Sequence, residues 1–174
     1  MRAEKTLPLN PPGAAPPDTP FRELVRIFGL LERQMNPYFA RFGISGSQWG
    51  VLRQLHRAEQ EGLAGLRQTD LSERLLVRPP SVTGVVDRLE RCGLVQRDSV
   101  STDLRAKQVR LTAQGRALVE RILEGHPSQI ERVLSGLSAK EQGELGRLLY
   151  KLRLHLTRLE AEAPDMRVKA VSPQ

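Results

Sequence analysis

The chain has 174 residues, 39% of them hydrophobic and 27% charged, which is enough to build one domain with a real core and excludes disorder of the whole chain. Its 27 basic side chains exceed 20 acidic ones, for a net charge of +7 and a pI near 10.3, a balance that favours a polyanionic partner but equally suits a solvated, salt-bridged surface. No apolar run approaches the roughly 18–20 residues needed to span a bilayer, the opening MRAEKTLPLN lacks the apolar stretch of a secretory signal, and the single cysteine, Cys92, has no partner for an internal disulfide, so the expectation is a soluble cytoplasmic protein without a membrane partner.

Residues 1–19 read as a proline-rich arm, with PLNPPGAAPPDTP over residues 8–20. Proline fixes φ and removes a donor, so this arm is expected to be extended or disordered. The folded domain is expected over 20–162, and the aperiodic 163–174 as a flexible tail. Thr19 and Pro20 suit the N-cap and first position of a helix. Leu24, Phe28, Leu31, Met35, Tyr38 and Phe42 then recur at helical spacing and make a seam on one face. Pro37 is expected to kink that helix or split it, and Gly43 to stop it.

A second helix opens at Ser47-Gln48-Trp49, capped by Ser45 or Ser47, with Val51, Leu52 and Leu55 on its apolar side. Trp49 reads as a packing anchor rather than a ligand contact. After the glycine-bearing EQEGLAG, a short helix is expected from about Gln68 to Leu75. A brief turn leads to Pro79-Pro80, which fit only the first turn of a further helix. That helix runs to about Cys92 and stops at Gly93.

The faces of this last helix separate cleanly. Val82, Val85, Val86 and Leu89 fall on one apolar arc. Ser81, Thr83, Gly84, Asp87, Arg88 and Arg91 fall opposite, small near the start and basic further along. A brace helix, a turn and a helix with a short-side-chain tip make a helix–turn–helix pattern, whose tip can enter the major groove. An ordinary amphipathic pair of helices has the same periodicity. The largest share of the positive charge, nine basic against six acidic side chains, lies in 66–110.

Leu94-Val95-Gln96-Arg97 and Lys107-Gln108-Val109-Arg110-Leu111 alternate apolar and polar, as half-buried strands do. They flank a polar stretch with its tip near Asp103-Leu104-Arg105, so a β-hairpin follows the helix–turn–helix directly. Thr112 is placed to cap another helix, ending at Gly125 or Pro127. Ser138 to Glu141 has the form of a capping box. Behind it Leu145, Leu149, Leu152, Leu156 and Leu159 form a second seam. Either both seams pack on the monomer's own core, or the ends of two chains pack together.

The fold expected is therefore mainly α with a small β-hairpin wing. Its core is a winged helix–turn–helix over about 47–112, with dimerisation helices over about 20–43 and 113–160. Enzyme chemistry finds no support: there is no Gly-x-Ser-x-Gly, no phosphate-cradling glycine loop and no paired-carboxylate motif. His56, His126 and His155 are dispersed, so no catalytic residue, cofactor or metal site is assigned.

The pieces SQWGVLRQL, TDLSERLLVRPPSVTGVVDRLERCGLVQR and TDLRAKQVRLTAQGR together resemble the MarR family of bacterial transcriptional regulators. The resemblance spans about residues 21–160. It implies a winged-helix homodimer that binds palindromic double-stranded DNA, usually as a repressor. In many members a small phenolic or anionic effector releases the DNA.

The resemblance carries over to named positions. Ser81 and Thr83 match small hydroxylated positions of the recognition helix, with Gly84 between them and Arg88 on the same outward face. Arg105 matches the wing arginine that enters the minor groove, and Asp103 its positioning partner, although a plain surface ion pair is the simpler reading of those two. Arg78 and Lys107 complete the DNA-binding set. Leu24, Phe28, Leu31, Leu149, Leu152 and Leu156 are the dimerisation candidates. Leu104 departs from the family wing, where a second basic residue is common, and Arg67 and Arg78 stand where Ser or Thr would cap. Cys92 is read as structural or incidental. A nonspecific architectural or protein-interaction winged helix is the alternative reading.

Overall fold

The computed structural model describes residues 19–100 and 103–162; the side chains of 99, 100 and 103–106 lie outside that description. The expected N-terminal arm up to residue 18, the tail from 163, and the side chains of Asp103, Leu104 and Arg105 thus fall outside the described residues. Among the described residues the order is α1 (Thr19–Ala40), α2 (Gly46–Gln60), β1 (Leu66–Arg67), α3 (Gln68–Leu75), α4 (Pro79–Arg91), β2 (Val95–Val100), β3 (Asp103–Leu111), α5 (Ala113–Leu134) and α6 (Ala139–Glu162). Two compact units divide the chain, Met1–Gln129 and Ile130–Gln174.

The core of the first unit gathers apolar positions from all of its helices and strands. Leu52, Leu55, Leu71, Val82, Val86, Leu89, Val95, Val109, Val119 and Ile122 are almost wholly removed from solvent. Each such side chain contributes roughly 1.5–3 kcal/mol. The apolar arc of α4 is buried as its spacing requires: Val82, Val85, Val86 and Leu89 face the core. Trp49 is buried and stacks on Phe39 at a centroid distance of 5.6 Å, which is the packing role expected of it.

The local start and stop signals explain the boundaries. Ser45 caps α2: its hydroxyl accepts from the Gln48 amide at 3.3 Å, and the Gln48 side chain accepts from the Ser45 amide at 2.9 Å. This reciprocal pair satisfies two otherwise orphaned donors. At the start of α3, Asp70 accepts from the Arg67 amide and from its guanidinium, each at 3.0 Å. Arg67 cannot cap with its own side chain, so the aspartate three residues on bonds back to it. Gly93, at φ +69°, ends α4, with the Leu94 amide donating to the Leu89 carbonyl at 3.0 Å, the reversal that closes a helix C-terminus.

Three features narrow or depart from the sequence expectation. α1 passes Pro37 without splitting, so of the expected kink or split the split does not occur. α5 passes both Gly125 and Pro127 and continues to Leu134. Its passage is supported by packing: the Tyr38 hydroxyl donates to the Ile122 carbonyl at 2.5 Å, and a Cβ at Gly125 would lie 3.1 Å from that hydroxyl. Tertiary contact here overrides local helix-breaking propensity. The hairpin also gains a strand, since β1 pairs antiparallel with β3, Leu66 opposite Val109, giving the order β1-β3-β2. Two residues are too few to show an alternation in sequence.

The phrase from Leu111 to Gly115 locks wing to helix. Leu111 is buried. The Thr112 hydroxyl accepts from the Gly115 amide at 3.0 Å and donates to the Gly93 carbonyl at 2.7 Å. A Cβ at Gly115 would lie 1.9 Å from the Leu94 carbonyl oxygen. Only glycine permits that approach of backbones.

Candidate nucleic-acid interface

α4 is held from behind by its valines and leucine and presents the opposite side to solvent. Arg78, Pro79, Pro80, Ser81, Thr83, Asp87, Arg88 and Arg91 are all exposed, and Gly84 is half-buried. A Cβ at Gly84 would meet only the Arg88 guanidinium, at 3.9 Å, so the position is open space rather than a packing constraint. Lys107 is exposed on β3, opposite Ser99 of β2. The structure thus brings Arg78, Ser81, Thr83, Gly84 and Arg88 onto one element and sets Lys107 on the sheet that follows it.

Ion pairing sorts the basic residues of this region into two groups. Arg67 pairs with Asp70, Arg74 with Glu61, Arg97 with Asp87 and Glu90, and Arg110 with Asp98. Arg78, Arg88, Arg91 and Lys107 pair with no carboxylate among the described residues. Among the described residues these exposed cations, unlike the paired arginines, have no carboxylate beside them, although Arg91 Nε donates to the Asp87 carbonyl at 3.4 Å, and cations of this kind can neutralise an external anion.

Arg97 was not among the sequence candidates, and it does the most to fix the geometry. Its side chain is 18% exposed. It bonds Asp87 at 2.5 Å and also Glu90, both on α4, while its amide donates to Glu90 at 3.2 Å. Burial pulls the guanidinium toward lower pKa, but the bonds to Asp87 and Glu90 outweigh this and hold it above its ordinary value. The Gln68 amide joins the same cluster. With its nitrogen turned toward the Thr83 hydroxyl at 2.9 Å, its oxygen lies 2.9 Å from Nη2 of Arg97. α3, α4 and β2 are thereby tied by one polar chain. The available signal was the spacing of Asp87 and Glu90, three apart on one helical face, followed by an arginine in the next strand.

Thr83 is less free than its exposure suggests. Its hydroxyl lies 2.9 Å from the Gln68 side chain and 3.2 Å from the Pro79 carbonyl, so its single donor is engaged within the fold.

A sequence profile of the MarR family matches residues 42–106. The transcriptional repressor YetL of Bacillus subtilis is 32% identical over 129 residues, covering 74% of this chain and 75% of that protein. The chain belongs to the MarR family. The regulator PecS of Dickeya dadantii is 27% identical over 133 residues, covering 76% of this chain and 79% of its own. The structure superposes with a TM-score of 0.69 on a cysteine-to-serine mutant of MarR from E. coli in complex with operator DNA, at 26% identity over 77% of this chain and 94% of that one. The S. aureus MepR–DNA complex gives 0.68 at 25% identity, over 82% and 99%. These MarR-family relatives are transcriptional regulators, and so is this chain, not an enzyme. Among the described residues no helix is long and apolar enough to cross a membrane, and no cluster of His, Cys, Asp and Glu is suited to a metal ion.

Other MarR-type candidate positions lie away from α4. Leu24 is half-buried, whereas Phe28 and Leu31 are exposed at 66% and 38%. The α1 seam therefore divides: Tyr38 and Phe39 enter the core, and the N-terminal part does not. No residue of α6 is buried, and Leu149, Leu152 and Leu156 are exposed. An apolar cleft of about 440 Å³ lies between α1 and the start of α2, lined by Phe28, Leu31, Met35 and Phe39 with Glu32 and Asn36 at its polar side. Cys92 is exposed.

Proposed function

We propose that this MarR-family regulator is a homodimeric repressor that binds palindromic double-stranded DNA and leaves it when a small effector binds. α4 reads the major groove through its Arg78–Arg88 face. Arg105, positioned by Asp103, enters the minor groove, and Lys107 meets the backbone. The observation that carries the reading is the coincidence of the exposed face of α4 with cations that pair with no carboxylate among the described residues, on a fold shared with two DNA-bound relatives.

Dimerisation rests on the exposed apolar residues of α1 and α6. A two-fold pair would set two reading helices about 34–36 Å apart, one turn of B-DNA. The effector fits the cleft beside α1, whose volume lies within the range of small-molecule sites. Glu32 is its charged lining residue, which favours a neutral phenol over an anion.

Fluorescence anisotropy of the full chain tests this, on duplexes from its own upstream intergenic region beside a scrambled duplex, at two salt concentrations. The expected result is a preference of roughly 10³-fold or more for one duplex, with a steep salt dependence. Arg105→Ala should weaken that binding by about 1–3 kcal/mol and leave the fold intact. Equal, weak binding to every duplex, including those recovered by selection from random sequence, points instead to an architectural binder.

A further inference from the structure

The part of α4 that leads into the groove is poor in hydrogen-bond capacity. Its first two residues, Pro79 and Pro80, carry no amide hydrogen and are exposed. The next amide, that of Ser81, already donates to the Arg78 carbonyl at 3.0 Å. Thr83 has its hydroxyl engaged by Gln68 and the Pro79 carbonyl. Gly84 has no side chain. Val77, just before the helix, is 44% exposed. Apart from the Ser81 hydroxyl and the exposed Arg78 guanidinium at the helix N-cap, this surface offers proline rings, a valine and the Thr83 methyl group.

A hydrogen-bonding edge set against the proline rings and the Thr83 methyl group would lose water and gain nothing, at a penalty for each unpaired group. The major groove has one apolar group, the C5 methyl of thymine. We propose that Pro79, Pro80 and the methyl group of Thr83 are specificity determinants that read thymine methyl groups, so that each half-site carries thymines where α4 enters. The proposal rests on the reading of α4 as the groove-reading helix. Purine edges are left to Arg88, one turn further along.

The test takes the duplex that the full chain selects from a random library and replaces each half-site thymine in turn by deoxyuridine, which removes only the methyl group. Affinity should fall by about fourfold for each contacted methyl, as burial of one such group implies. Thr83→Ser removes the protein's methyl group and keeps both hydroxyl bonds, so the fold is retained. It should show a similar loss on the thymine duplex and little further loss on the deoxyuridine duplex. Unchanged affinity for every deoxyuridine duplex overturns the proposal while leaving sequence-specific binding intact, as does full additivity of the Thr83→Ser loss with every deoxyuridine loss. Failure to select any preferred duplex overturns the underlying reading of α4, and this proposal with it.

Discussion

Arg97 of β2 closes onto Asp87 of α4 at 2.5 Å, across ten residues and the turn at Gly93. With Glu90 bound as well, one half-buried guanidinium ties α4 to the wing strand β2. Two separately periodic elements are joined by this contact.

Arg97→Ala should therefore loosen both the fold and the interface. It leaves two carboxylates facing a partly buried gap, where a lost charge-assisted bond costs about 1–3 kcal/mol. The urea midpoint should drop accordingly. Arg110→Ala is the control: that pair with Asp98 is half-exposed on both sides, and such pairs contribute no more than about 1 kcal/mol. Equal midpoints for the two variants would remove the special role given to Arg97.

Much of this surface was legible in the sequence because periodicity reports which side of a helix is dry. Val82, Val85, Val86 and Leu89 fixed the buried face of α4, and by elimination the outward one. Gly93, Thr112 and Ser138 marked boundaries through backbone chemistry that belongs to single residues. What was not legible depends on contacts between distant segments. Gly125 and Pro127 read as a stop because Tyr38, far away in the chain, was not available to support them. The split of the α1 seam at Met35 was hidden for the same reason: the spacing of Phe28 and Tyr38 is helical throughout, and only packing tells that one meets the core and the other does not. The exposure of Thr83 follows from its place on the outward face of α4, but the engagement of its hydroxyl needs Gln68 in place.

Leu76 sits between α3 and α4 at φ +53°, the one non-glycine residue in the left-handed region among those described, and its side chain is 80% exposed. That conformation disfavours an L side chain by about 1–2 kcal/mol, and an exposed leucine recovers little by burial. Leu76→Gly should raise stability by about 1 kcal/mol after the greater freedom of glycine in the unfolded chain is allowed for. Thermal melting reads the change. A lowered melting temperature would mean that the leucine makes a contact worth more than its strain.

His126 of α5 packs between Trp49, at a centroid distance of 5.3 Å, and Phe39 and Tyr38, each at 6.2 Å. Burial pushes its pKa below the usual 6.5, and the Arg53 charge adds to the shift. The unfolded chain then binds a proton that the folded chain refuses. Stability is full above the unfolded value and is lost as pH falls through about 6.5 toward the lower folded pKa. His126→Phe keeps an aromatic ring in the cluster and removes the proton site. Melts at steps between about pH 8 and pH 5 should show the native protein losing stability on acidification more steeply than the variant. Parallel profiles would place the acid sensitivity elsewhere.

The α6 seam separates the dimer from the plain surface reading. Leu152 and Leu156 are exposed, and no residue of α6 is buried. If those leucines meet only water, replacing both by glutamate, a good helix former, changes stability by no more than about 0.5 kcal/mol and leaves the mass in solution unaltered. If they face a second chain, the double variant buries charge against an apolar surface and the pair comes apart. We expect light scattering at micromolar concentration to give twice the chain mass for the native protein and the single-chain mass for Leu152→Glu with Leu156→Glu. Loss of the second half-site should then weaken operator binding far more than it weakens binding to a single half-site duplex. A native protein that is already monomeric would remove the homodimer, and with it the spacing of two reading helices along one face of the DNA.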